Sequence, residues 1–192
     1  MPTLHAQATY GTPEAIAQAA LQADSVHDWR LLLALAHPDA LREYRHSQVL
    51  AFKGDAFRFL GADSCDVKEL QVYQRFLLDS VFHVPTPDSL SRLAPDTVFA
   101  RQQAFWARRR PLRAVPDSFA PARKILGHVL ANDSTAYVVI EYTFARRPFS
   151  DWPLRRAEIM TLRWYRGSWR TMLDPNLGEE ASGFAMIGSG CQ

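Results

Sequence analysis

Apolar positions recur at helical spacing in the first half of the chain and alternate or run together in the second. Thr12-Pro13-Glu14 combines an N-cap, a first-turn proline and an acid at the positive end of the helix dipole, predicting a helix to about Asp24. Asp28 caps a second helix, Trp29–Ala36, which is apolar nearly all round. That pattern predicts burial on most sides, with Trp29 as a core anchor and His37-Pro38 as the stop. Asp39 begins a third helix through about Phe52, turning Leu41, Tyr44 and Phe52 inward and ending at Lys53-Gly54. Asp66-x-x-Glu69 resembles a capping box for a fourth helix to about Phe82, with Val67, Leu70, Leu77 and Val81 as its stripe. Pro85 and Pro87 break the chain. Pro95 opens a fifth helix whose Val98, Phe99, Gln102, Phe105 and Trp106 share a face, with Arg108–Arg110 at its negative end and Pro111 beyond.

The pattern then changes. Ala122–Ala131, Thr135–Phe144, Ala157–Tyr165 and Trp169–Leu173 are rich in β-branched and aromatic residues and read as strands. Asn132-Asp133-Ser134 and Arg166-Gly167 supply the turns of two hairpins. Helices first and strands last predict an α+β fold with an antiparallel sheet. The expected organisation is one domain over residues 1–175, with a helical insertion at about 54–116 and a flexible tail at 176–192.

Strand parity sorts the sheet's side chains. A two-residue turn at Arg166-Gly167 pairs Tyr165 with Ser168 and Trp164 with Trp169. Trp164 then shares an inner face with Glu158, Met160, Leu162, Trp169, Thr171 and Leu173, leaving Thr161, Arg163, Tyr165 and Arg170 outside. Val138, Ile140, Tyr142 and Phe144 are the inward set of the preceding strand. His128 joins them if the first hairpin loop has three residues; a two-residue loop puts it with Glu141 instead.

Composition narrows the function classes. The chain has 192 residues, 47% of them hydrophobic, which suits a globular domain rather than a disordered one. No apolar run approaches the ~18 residues that span a bilayer, and the N-terminus carries no secretory pattern, so a cytoplasmic protein without membrane contact is expected. Cys65 and Cys191 form no CxxC pair. Net charge is −4 over residues 1–100, +9 over 101–173 and −3 over 174–192. The positive charge is almost all arginine, and the exposed interleaved aromatics of a nucleic-acid stacking platform are missing, which speaks against nucleic acid.

Asp28-Trp29 at a helix junction, a short apolar helix stopping at His37-Pro38-Asp39, and a closing meander ending Trp164-Tyr165-Arg166-Gly167-Ser168-Trp169 resemble the nuclear transport factor 2-like superfamily. The resemblance covers about Thr12–Phe52 and Ala122–Leu173. It implies a curved sheet wrapped around helices as a cone with a cavity, which would bind a small hydrophobic ligand against Trp29, Tyr142 and Trp164. The segment Gly54–Pro116 departs from the compact family pattern. Ketosteroid isomerases and polyketide cyclases of this superfamily work without a cofactor, so none is expected, and they place an Asp or His in the cavity. No position here matches a complete set of that kind.

No nucleotide-binding, hydrolase or metalloprotease motif is present in the sequence, and no metal site is expected from it. The catalytic candidates are Glu158, His128 and Tyr142. A carboxylate in an apolar pocket would have a raised pKa suited to proton transfer, whereas one at the rim would be solvated. His128 with Tyr142 and Glu158 would form an acid/base group; the alternative is a hydrogen-bonded structural histidine. Two classes follow: a non-catalytic small-molecule-binding or scaffold protein, and a cofactor-free isomerase, dehydratase or hydrolase. Ile159, Thr161, Tyr165 and Met172 among the outer arginines predict a homodimer through the outer sheet face.

Overall fold

The computed structural model describes residues 11–53, 72, 74–109, 121–144 and 154–173. Helices α1 (Pro13–Ser25), α2 (Trp29–Leu35), α3 (Pro38–Lys53), α4 (residues 74–80), α5 (Pro87–Arg92) and α6 (Pro95–Arg109) precede strands β1 (Ala122–Asn132), β2 (Thr135–Thr143), β3 (Arg155–Tyr165) and β4 (Ser168–Thr171). The strands form one open antiparallel sheet in the order β1-β2-β3-β4, so the fold is α+β. The chain divides into two compact units. One holds α1, α2 and the sheet; the other holds α3 to α6.

In the first unit α1 is the sheet's cover. Thr12 caps it by accepting the Ala15 amide at 3.3 Å, and its buried Ile16, Ala17, Ala20, Leu21 and Ala23 repeat on one stripe. Ile16, Ala17, Ala20 and Leu21 pack into one core with Leu35, Ala136, Val138, Ile140, Leu162 and Trp169. Asp28 caps α2 by accepting the Leu31 amide at 3.0 Å, as its position predicts.

Burial of α2 differs from expectation. Leu35 is its one fully buried residue, Leu31 and Leu32 pack partly against the core, and Trp29 is half-buried with the Arg30 guanidinium 5.3 Å from its ring centre. Seven residues make about two turns, enough to lean on the core with one side only. The end of α2 instead closes the β4 edge. Ala36 bridges to Thr171, the His37 amide donates to the Thr171 carbonyl at 2.8 Å, and the Thr171 hydroxyl donates to the Leu35 carbonyl at 3.3 Å. An otherwise open strand edge is thereby paired.

In the second unit Ala40, Tyr44 and Val49 are the buried residues of α3, while Leu41 and Phe52 are half-buried. Phe52 meets Phe82 edge-on, with ring centres 5.7 Å apart. Leu77, Leu78 and Val81 are buried at and after α4; Asp66, Val67, Glu69, Leu70 and Gly54 lie outside the described residues. The chain does break between residue 80 and Pro87, but Pro87 then opens a helix that the sequence pattern does not predict. That proline occupies the first turn of α5, behind a Thr86 cap that accepts the Ser89 amide at 3.1 Å. Proline lacks an N–H at a position where none is needed, so it fits the first turn of a helix. In α6 Val98, Phe99, Gln102 and Phe105 are buried as the stripe predicts, with Trp106 half-buried. Arg110, Pro111, Cys65, Cys191 and the tail 176–192 lie outside the described residues.

Removing Ile140, 1% exposed beneath α1, tests this packing. Ile140→Ala should cost about 2–5 kcal/mol in denaturant unfolding. A cost under about 1 kcal/mol would mean that α1 does not cover this face.

Candidate functional site

Two bulges in β1 decide which side chains face α1. Asn132 pairs with Thr135, so the turn is the two residues Asp133-Ser134, held by Ser134 amide and hydroxyl bonds to Asn132 Oδ1, both at 2.9 Å. Continued without interruption, that register would set His128 opposite Val139, on the outer face. A bulge between Leu130 and Asn132 moves the pairing by one residue, and His128 stands opposite Val138 on the inner face. A second bulge, between Ile125 and Gly127, sets Ile125 opposite Ile140 and Arg123 opposite Tyr142. Gly127 follows it at φ 151°, a conformation L side chains rarely adopt.

The inner face therefore presents two polar groups from β1, and α1 meets both. His128 Nδ1 bonds the Glu14 carboxylate in the first turn of α1. Arg123 pairs with Asp24 in the last turn at 2.7 Å and donates to the Leu21 carbonyl at 3.2 Å. Glu14 and Asp24 are ten residues apart, ~15 Å along a helix. Arg123 and His128 are five apart, ~16 Å along a strand. The lengths match, and α1 is clamped to β1 at both ends. The His128 hydrogen bond, helped by a backbone bond, holds the Glu14 carboxyl below its ordinary value.

Beyond the Arg123 end lies a second polar group. The Arg123 guanidinium sits 5.7 Å from the Tyr142 ring centre. Glu158 stands on β3 opposite Ile140, with Arg156 two residues before it and opposite Tyr142; their side chains form an ion pair at 2.8 Å. Burial, then the Glu158 charge, push the Tyr142 phenol up to about 12 against opposition from Arg123. Tyr142 is therefore a neutral hydrogen-bond donor at ordinary pH, a weak acid for proton transfer. Glu158 keeps 35% of its side chain exposed and is partnered by a guanidinium, the arrangement of a rim residue.

The three catalytic candidates do not gather. Tyr142 and Glu158 are neighbours, but His128 pairs with Val138, four β2 residues from Tyr142, or ~13 Å along a strand. His128 is bound to Glu14 as a structural link. Of the ligand candidates, Tyr142 and Trp164 are separated too. Trp164 stands opposite Trp169, with ring centres 5.3 Å apart, and is 42% exposed. It lies eight β3 residues beyond the partner of Tyr142, ~26 Å along a strand. Trp29 is on α2 with Arg30 over its ring. Among the described residues no group of three or more His, Cys, Asp or Glu could hold a metal ion, and no helix is long and apolar enough to cross a membrane.

Glu14, Asp24 and Arg123 carry the clamp, yet in the sequence they read as a dipole residue, a helix end and a strand residue. Their partnership depends on the bulges, of which Gly127 inside the β1 run announces one and nothing local announces the other. Arg156 was findable, because strand parity puts it on the Glu158 face.

Two titrations check these contacts. Glu14 is held low, so its stabilising contribution should be complete above the ordinary 4.5 and fall away as pH drops through the folded value; Glu14→Gln should remove that part of the stability–pH curve. Tyr142 is held high, so its contribution is present below 10.0 and is lost as pH rises through about 12. Glu158→Gln should lower the Tyr142 midpoint seen by NMR, and an unmoved midpoint would mean that the two groups do not interact. No family model, curated protein or solved structure matches the chain.

Proposed function

We propose that this chain is a non-catalytic scaffold protein of nuclear transport factor 2-like shape that works as a homodimer, paired through the outer face of its sheet. The observation that carries this is apolar surface on that face. Val129 stands opposite Tyr137, and Tyr137 opposite Thr161; Val139 stands opposite Ile159. Ile159 is 67% exposed, Val129 61%, and Tyr137 is exposed beside them. Lys124, Glu141, Arg155 and Arg163 share the same side by strand parity. An apolar centre with a charged, arginine-rich border is the composition of a protein interface.

The inner face supports the scaffold half of the reading better than the ligand-binding half. Between the ends of α1, helix side chains fill it, and Ala136, Val138, Ile140 and Leu162 are at most 1% exposed. One observation favours the alternative, a cofactor-free acid/base enzyme acting on a small hydrophobic substrate: Tyr142 lies beside Glu158, pairing a neutral donor with a carboxylate. The Arg156 ion pair and the distance of His128 weigh against it.

Light scattering tests the dimer. The wild-type chain should run at twice its 21.7 kDa mass at micromolar concentration, and Ile159→Glu should run as a folded monomer. Glu158→Gln should leave the dimer intact. A monomeric wild type would end the proposal.

A further inference from the structure

The outer face of the sheet differs between its two ends. Lys124 stands opposite Glu141 toward one end, and Arg163 stands opposite Arg170 toward the other. Two rows lie between them across β1, β2 and β3: Gly127, Val139 and Ile159, then Val129, Tyr137 and Thr161. Among the described strand residues of this face Glu141 is the only acid. Arg170 is engaged within its own subunit, donating to the Ala34 carbonyl and to Ser168 Oγ at 3.1 Å. Arg163 is exposed. A Cβ added at Gly127 would meet no atom within 4 Å, so the first row carries a notch beside Val139.

Given the homodimer proposed above, on which this inference rests, these positions distinguish two ways for the copies to meet. Sheets stacked face to face in an aligned packing run their strands either in the same direction or in opposite directions. Centred on the patch at β2, same-direction stacking about a twofold axis sets Glu141 on the partner's Glu141, so the one acid of the face meets itself. Opposite-direction stacking, with the axis between the two rows, exchanges the ends. Val139 then falls on the partner's Tyr137, Ile159 on the partner's Thr161, and Val129 over the notch at the partner's Gly127. Glu141 falls on the partner's Thr135, whose neighbour on β3 is Arg163. That neighbour is one strand spacing away, ~4.8 Å, and the sheets are ~10 Å apart, a gap that an arginine and a glutamate reaching toward each other can close. We propose that two copies stack with their strands in opposite directions, Glu141 of each pairing with Arg163 of the other. Symmetry makes the contact twice.

Light scattering across a concentration series on the full chain gives the dimer dissociation constant. Glu141→Arg and Arg163→Glu should each weaken the dimer by about tenfold or more, because each sets two like-charged contacts in the interface. Glu141→Gln, the mildest change, should also weaken it. Mixing the two charge-reversed variants should restore dimers, since each copy then supplies the charge that the other lacks. Rescue between separate chains cannot come from repair of one subunit's own fold. Same-direction stacking predicts the reverse: Glu141→Gln would tighten the dimer by relieving the carboxylate self-contact, and Arg163→Glu would leave it unchanged. Either result, or a mixture that stays monomeric, would overturn the opposite-direction pairing while a dimeric wild type kept the homodimer reading. A wild type that is monomeric throughout would remove both.

Discussion

Everything in the sheet-bearing unit depends on burying the α1 stripe, Ile16, Ala17, Ala20 and Leu21, against Ala136, Val138, Ile140 and Leu162. Strand side chains alternate with a period of two, so that contact fixes the face of every other residue in β2 and β3. It also explains why the charged side chains that β1 places on the inner face meet the two ends of α1. Glu14 meets His128 at one end; Asp24 and the Leu21 carbonyl meet Arg123 at the other. A polar side chain on the inner face midway along α1 would be buried without a partner, and Val138 and Ile140 stand there instead.

Sequence patterns showed most of the elements because each is announced locally. Thr12-Pro13-Glu14 and Asp28 cap their helices, the stripe Val98, Phe99, Gln102, Phe105 is buried, and the parity about Arg166-Gly167 holds to the pairings of Trp164 with Trp169 and Tyr165 with Ser168. That turn has φ 49° at Arg166 and 83° at Gly167, the left-handed pair that a two-residue hairpin requires. Other features were harder to see. Pro87 starts a helix that a breaker rule hides, and α2 is too short to be surrounded despite its apolar sequence.

The face of His128 could not be read from turn length alone. The turn is the shorter alternative, yet the histidine occupies the face expected of the longer one, because the bulge at Ala131 restores the register. Nothing in the run Leu130-Ala131-Asn132 marks that bulge, whereas Gly127 marks the other. The consequence for function is direct. The histidine that would have completed an acid/base group is spent as a link to α1, and Tyr142 and Glu158 stand at a partly solvated end with arginine partners. Among the described residues the outer row around Val129, Tyr137 and Ile159 remains exposed, and self-association through it is the proposed use of this fold.

The bulged register of β1 underlies both the clamp and the separation of His128 from Tyr142. Cross-strand NOEs on the full chain test it most directly. The account predicts backbone contacts of His128 with Val138 and of Ile125 with Ile140, each as a facing pair. Contacts that instead face His128 to Val139 would put the ring on the outer side, break its link to Glu14 and contradict the account.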